Sequence, residues 1–484
     1  MIDVDGDGSL AFNQEWFLIL AEARRHAQLL APAPEFPLVF RLWGRWHRRV
    51  MEQSLQALAE RHSVLRTVYS PTGWYSSEQR EMLLRMFLRH KVYVPGMYVQ
   101  RRLGRPEIEI VEREASTDCV NNLVSQVMEE PFESRRPLVR AVVFHVDVDT
   151  QVLVLVVSHL ICDGWSIRIL LRDFVEIYRS VRGGKDADLP AVDVDYDEFA
   201  RSQHRAHQSG TCRAEETFWR RQWSELDGAA IRHADLPFAR SVDASAPPIM
   251  SAGSLWLTPS ASVVVAQAAR CLRITPYILF RTAMTLALVA AIGKRRLAYW
   301  ANFANRRRGF ENTVGWCANT HIVTVDVPET GAVADLCRLV ATGFREAQRH
   351  ESLPLVALWQ RVGKCLDPYD TRVNFDVWPI RRAAHSESAP IEIVVSSFLP
   401  RMDLDVRLVD DGERFGLRAI YANRYDAAGV ATFVSHMAAI AERIAIAPND
   451  SAFACVYAAA GARRSWRPFT TAYAASDSAD TSRQ

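Results

Sequence analysis

The chain has 484 residues, 49% hydrophobic and 24% charged, with a net charge of +2. That length suits two packed domains and the composition is that of a soluble globular protein. The near-neutral balance supplies no basic face of the kind nucleic acid demands. The most apolar helix candidate, residues 282–292, is too short to span a bilayer, and the first residues lack the basic-then-apolar pattern of a signal peptide, so a cytoplasmic location is expected. The cysteines lie far apart with no C-x-x-C spacing, which argues for reduced thiols and against zinc or a disulfide framework. Asp3-Val4-Asp5-Gly6-Asp7-Gly8 fits half of a calcium-binding loop. Gln14 stands where the bidentate Glu is needed, however, and no helix precedes the loop, so no metal is expected.

In chain order, residues 10–35 carry helical apolar spacing after a short extended entry, 37–44 a strand, and 46–69 a long amphipathic helix running into another strand. Residues 77–91 read as an Arg-rich helix and 116–130 as a further one. Two adjacent strands follow, joined by an Asp-rich turn at 147–150. The run 151–157, all Val and Leu after Gln151, reads as a buried strand that delivers Ser158 and His159 to its end. Asp163 and Gly164 then break the pattern and a helix begins. An imidazole therefore sits on a strand-to-helix corner, a place where rigid elements often hold catalytic groups. The plainer alternative is a hydrogen-bonded core histidine beside an ordinary Asp-Gly turn.

Gly, Asp and Pro around 182–200 suggest a linker. The chain divides on this reading into domains 1–185 and 186–447, with a disordered tail at 448–484. The second half opens with two helices and continues with a strand, a helix, and a buried helix entered at Thr275-Pro276. A strand ending in the basic turn Arg306–Arg308, a short strand near 372–379, a hairpin and a last helix complete it.

The segment Ser158-His159-Leu160-Ile161-Cys162-Asp163-Gly164 resembles the His-His-x-x-x-Asp-Gly motif of nonribosomal peptide synthetase condensation domains, with Ser158 in place of the first His. Other segments resemble the same family in the same order. They are Arg61-His62 with Leu65-Arg66-Thr67; Pro131-Phe132 with Pro137, Leu138 and Arg140; Val314-Gly315-Trp316-Cys317-Ala318-Asn319-Thr320; and His350 with Pro354. The resemblance covers roughly residues 9–445.

It implies an α/β (α+β) fold of two chloramphenicol-acetyltransferase-like lobes, set in a V-shaped pseudo-dimer with a tunnel between them. It implies a free-standing condensation enzyme that takes an acyl group from the phosphopantetheine thioester of a carrier protein. The acceptor would be an amine or hydroxyl, and the product an amide or ester in peptide or polyketide natural-product biosynthesis. No cofactor would be bound: the phosphopantetheine comes on an acyl- or peptidyl-carrier protein in trans, and a monomer that touches neither nucleic acid nor membrane is expected. His159 would position the acceptor and take its proton, since neutral imidazole is available near pH 7. Gly164 would allow a tight turn and offer its N–H to the oxyanion. Asp163 would be structural, paired with an arginine for which Arg66 and Arg306–Arg308 are candidates, and Ser158 would be structural beside it. Trp165, Trp316, Asn319 and Asn374 would line the tunnel. An acyl-coenzyme A acyltransferase of the same fold and an inactive, recruiting relative are the alternatives, and Cys162 as a nucleophile is a minor one.

Overall fold

The computed structural model describes residues 8–27, 35–90, 94–104, 108–116, 123, 126–127, 130, 132, 135–224, 226, 229–241, 250–362, 373–378, 391–394, 404–460 and 466–469. The N-terminal half runs α1 (Phe12–His26), β1 (Glu35–Trp43), α2 (Arg48–Arg61), β2 (Thr67–Pro71), α3 (Ser77–His90), β3 (Tyr98–Arg102), β4 (Ile110–Glu114), β5 (Val139–Asp147), β6 (Thr150–Ser158) and α4 (Gly164–Gly183). The C-terminal half begins with α5 (Tyr196–Gln208), α6 (Arg213–Ser224), β7 (Met250–Trp256), α7 (Pro259–Cys271), α8 (Pro276–Ile292), β8 (Arg296–Phe303) and β9 (Asn319–Asp326). It ends with α9 (Val333–Arg349), α10 (Leu355–Val362), β10 (Val373–Trp378), β11 (Ile391–Val394), β12 (Leu404–Asp410), β13 (Phe415–Ala422), α11 (Ala427–Ile446), α12 (Ala452–Ala459) and β14 (Arg467–Phe469).

Besides the separate two-stranded sheet in which β2 and β3 pair, each half is built on one large sheet. The first has the order β11-β1-β6-β5-β4 and the second the order β14-β7-β13-β12-β10-β8-β9. β6 lies between β1 and β5 and is buried from Gln151 to Ser158, which is why its Val and Leu run without alternation. α4 covers the sheet with Ile167, Leu170, Leu171, Phe174, Ile177 and Tyr178, a stripe at helical spacing. Asp163 caps its start and Gly184, left-handed at φ 64°, ends it.

The halves are also tied by backbone. β10 and β12 are parallel neighbours in the second sheet, yet between them the chain crosses to the first and lays β11 antiparallel on β1, Val394 opposite Val39. α11 is, among the described residues, a helix long and apolar enough by length and composition to cross a bilayer. Val430, Val434, Met437 and Ile444 are buried, and it packs on α7, α8 and α12. It reads as a core helix of this fold.

One expectation needs correction. The tail after 448 is not wholly disordered: α12 buries Ala452, Cys455, Val456 and Ala459, and β14 pairs with β7. Small apolar residues that resemble linker composition here fill a shallow gap beside α8 and α11. Residues 470–484 and most of the expected helix at 116–130 lie outside the described residues. β3, β4, β9 and α9 were not foreseen.

Candidate active site

His159 leaves the end of β6 in a short 3₁₀ turn, His159–Ile161. The Ser158 hydroxyl accepts a hydrogen bond from the Leu160 N–H at 3.3 Å and so caps that turn. Ser158 thus has a structural task that the imidazole of the family pattern would not perform in the same way. From the other side, Gln14 on α1 donates to the Leu160 carbonyl at 2.8 Å and to the Tyr69 hydroxyl at 3.1 Å. Gln14 is fully buried. The residue that disqualifies the N-terminus as a calcium loop therefore steadies the turn beside His159.

The imidazole is half-buried, with the Phe36 ring 4.9 Å away and the Trp316 ring 4.3 Å away. Phe36 belongs to β1 and Trp316 to the loop between β8 and β9, so His159 stands where the two halves meet. The Trp316 carbonyl accepts from the Tyr196 hydroxyl at 2.9 Å. Gly315 is needed for close approach, because a Cβ there would fall 1.9 Å from the Tyr196 ring.

Asp163 is 1% exposed and receives a full set of donors. Arg306 binds it through both terminal nitrogens, each at 2.9 Å. The Ser166 N–H and hydroxyl donate at 2.8 Å, and the Cys317 and Ala318 N–H groups at 3.0 and 2.9 Å. Burial alone would push this carboxyl up, but the Arg306 charge and these donors outweigh it and hold it below the ordinary range. Arg306 follows Asn305, whose left-handed φ of 49° turns the chain out of β8 and whose amide donates to the Cys317 carbonyl at 2.9 Å. Asp163 therefore fastens the start of α4 to the loop that carries Trp316, with each of its oxygens engaged elsewhere than at His159.

Arg66 is not the partner. It donates to the Leu103 carbonyl at 2.6 Å and so ties the start of β2 to the end of β3 in the N-terminal half. The Arg61-His62 pair that accompanies it in the sequence serves a second buried carboxylate, Asp173 on α4. Asp173 accepts from Arg61 Nε at 2.7 Å, from Arg172 Nε at 2.7 Å and pairs with His62 Nε2 at 2.9 Å. Burial opposes its charge, yet the hydrogen bonds from His62, Arg172 and Arg61 bring it down to about 2. His62 is itself pushed below its ordinary value by burial, so it meets Asp173 as a neutral donor.

The other expected positions separate. Gly164 is exposed at the first position of α4, a Cβ there would meet nothing within 4 Å, and its φ is not left-handed, so no tight turn demands glycine. Its N–H lies in the first turn of a helix, where backbone donors have no intrahelical acceptor. Trp165 reaches across the halves, donating from Nε1 to the Glu311 carbonyl at 3.0 Å, with Arg168 over its ring at 4.9 Å. Asn319 is fully buried, donating to the Glu351 carbonyl at 2.7 Å and accepting from Asn13 at 3.1 Å. Asn374 is buried on β10 and donates to Asp405 at 2.8 Å. Of the four expected tunnel residues, only Trp316 is placed against His159. Cys162 is buried, and burial together with the Asp163 charge pushes its thiol well above the ordinary range, which removes it as a thiolate nucleophile. Among the described residues no cluster of three His, Cys, Asp or Glu forms a metal site.

The condensation-domain family model matches residues 33–454. The chain is 22% identical over 396 residues to chondramide synthase of Chondromyces crocatus, covering 81% of this chain and 9% of that protein. It is 26% identical over 360 residues to phosphinothricin tripeptide synthetase PhsC of Streptomyces viridochromogenes, covering 74% and 31%. The chain thus spans less than a third of the length of either relative. Among solved structures, the complex of the X-domain and OxyB from teicoplanin biosynthesis superposes with a TM-score of 0.73 at 17% identity, covering 94% of this chain and 96% of that one. The fold is the two-lobed, chloramphenicol-acetyltransferase-like α/β fold of condensation domains.

Proposed function

This chain belongs to the condensation-domain family, and from that premise we propose that it transfers an acyl group from a carrier-bound phosphopantetheine thioester to an amine or hydroxyl acceptor. The observation that carries the reading is His159: half-buried, flanked by one aromatic ring from each half, on a turn that Gln14, Ser158 and the Asp163–Arg306 pair hold from three sides. In the proposed step the neutral imidazole accepts the acceptor's N–H or O–H proton as its lone pair attacks the thioester carbonyl. The tetrahedral oxyanion is met by the N–H of Gly164 at the start of α4. Collapse expels the phosphopantetheine thiolate, which takes the proton from His159, so the enzyme leaves the cycle unchanged.

The proposed step uses no bound cofactor; the pantetheine arm is part of the donor. The donor is proposed to arrive on a separate carrier protein through a passage between the lobes, to a monomer in the cytoplasm. Incubation with an acyl-loaded carrier protein and a panel of small amines and alcohols, read by mass spectrometry of the products, tests the reading. New amide or ester from the carrier-bound donor supports it. Equal turnover with acyl-coenzyme A would assign the donor differently within the same fold.

A recruiting role is the second reading. Ser158 replaces the first histidine of the family motif, and the similar X-domain is known in complex with OxyB. A chain that consumes neither donor but binds a second enzyme of its own pathway at equimolar ratio would favour it.

A further inference from the structure

The C-terminal half holds a buried charge that acyl transfer does not use. Arg281 on α8 is 1% exposed. Its guanidinium carbon lies 4.8 Å from the ring centroid of Tyr299, 4.9 Å from that of Phe344 and 5.8 Å from that of Tyr277. One terminal nitrogen, Nη1, donates to the Tyr277 hydroxyl at 2.6 Å. The other, Nη2, is buried and has no hydrogen-bond partner. Among the described residues no carboxylate forms an ion pair with this guanidinium, and the groups acting most strongly on it are the Tyr277 and Tyr299 hydroxyls. Arginine keeps its charge in proteins, and aromatic faces offset only part of its desolvation. A buried cation with an unused donor is a half-completed ion pair.

Arg281 lines a cavity of about 250 Å³ beside β9, with Phe218, Trp219, Val323, Val340 and Phe344 as apolar wall. Gly343 forms part of the same wall from the middle of α9. A Cβ added there would meet nothing within 4 Å, and the backbone is not left-handed. Gly343 is exposed and puts no side chain over this wall, so a larger residue there would reach across the cavity mouth. None of the residues around His159 lines this space.

We propose that this cavity is a binding site for a small monocarboxylate with an apolar body, its carboxylate accepting from Nη2 of Arg281 and its body lying on Phe218, Trp219 and Phe344. A monoanion fits better than a phosphate dianion, because Glu346 lines the same wall. The Thr324 hydroxyl, buried and without a partner, offers a second donor besides Nη2, and Arg221 also lines the space. The volume is below the ~300–1,000 Å³ of sites for drug-sized ligands, which limits the body to a medium chain or one ring.

Sodium octanoate, with octanamide as the uncharged isostere, is the probe, applied to the full chain in calorimetric titration and thermal melting. Octanoate should bind saturably at one site and raise the melting temperature, and octanamide should bind about tenfold more weakly or worse, the difference expected of a charge-assisted hydrogen bond. Arg281→Met should abolish the octanoate effect without lowering the ligand-free melting temperature, since it removes an unpaired buried charge. Gly343→Leu keeps the guanidinium and covers the cavity mouth, and should abolish binding as well. Absence of saturable octanoate binding to the natural chain, equal binding of octanamide, or unchanged binding by Gly343→Leu would each overturn the proposal, the last even if Arg281→Met does not fold.

Discussion

Asp163 and Asp173 are both carboxylates of one helix, both buried and both held in the charged form, but they fasten different things. Asp163, at the N-cap of α4, draws its donors from a 3% exposed arginine and from the backbone of the opposite half. Asp173, inside α4, is bound by Arg61 and Arg172 with side chains 21% and 41% exposed, and by the buried His62, all from its own half. The same chemistry thus serves geometry in one place and anchorage in the other. The pair that spans the halves sets where Trp316 and His159 meet. The Asp173 cluster joins α2 to α4 and reaches the other half only at its rim, where Arg172 donates to Asn312 at 3.2 Å and Arg61 to the Pro190 carbonyl; none of its members contacts His159.

Substitutions can break that contrast. Asp163→Ala should have the largest effect, about 3–5 kcal/mol of stability, because Arg306 is left buried and unpaired. Chemical denaturation should show this, and activity per folded molecule should fall too. The double variant Asp163→Ala with Arg306→Met should recover much of the stability but not the activity, a non-additivity expected of coupled sites. Asp173→Ala should cost about 2 kcal/mol, since two of its three partners reach water, and should leave turnover per folded molecule unchanged.

Acid sharpens the same comparison. Asp173 titrates lower in the fold, at about 2, than in the unfolded chain. Its contribution is complete above about pH 4 and is lost as the pH falls from there toward its folded value. His62, depressed by burial, adds a loss that begins below about pH 6.5, where the unfolded chain takes up the proton first. Denaturation midpoints measured from about pH 4 to pH 2 should therefore fall less steeply in Asp173→Asn, whereas the His62 loss below about pH 6.5 should persist in that variant, since Asp173 is the group that raises the His62 pKa. The smallest change expected is that of Ser158→Ala, about 1 kcal/mol for a lost cap, with a matching small loss of activity as the His159 turn loosens.

Much of this was legible in the amino acids. The unbroken Val and Leu of β6, the Asp-Gly that starts α4, and the ordered motifs from Arg61 to His350 placed the corner and the family resemblance. The partner of Asp163 was left open between two candidates, because Arg306 meets it only through the packing of one half on the other. Gln14 counts in the sequence only against a calcium loop, since nothing local marks a buried amide that donates to the Leu160 carbonyl. Trp165, Asn319 and Asn374 are expected as tunnel wall, and what the sequence does not show is that each makes a hydrogen bond away from His159, to the Glu311 carbonyl, the Glu351 carbonyl and Asp405. The crossing of β11 into the other sheet has no local signature either, being four residues whose strand character depends on a partner far away in the chain.

The most direct test of the account is single-turnover acyl transfer from a loaded carrier protein, comparing the natural chain with His159→Ala at matched folded fraction. If the imidazole at the meeting of the halves takes the acceptor's proton, the variant should melt like the natural chain and react about 10²–10⁴-fold more slowly with a hydroxyl acceptor. Equal rates from the two proteins would contradict it.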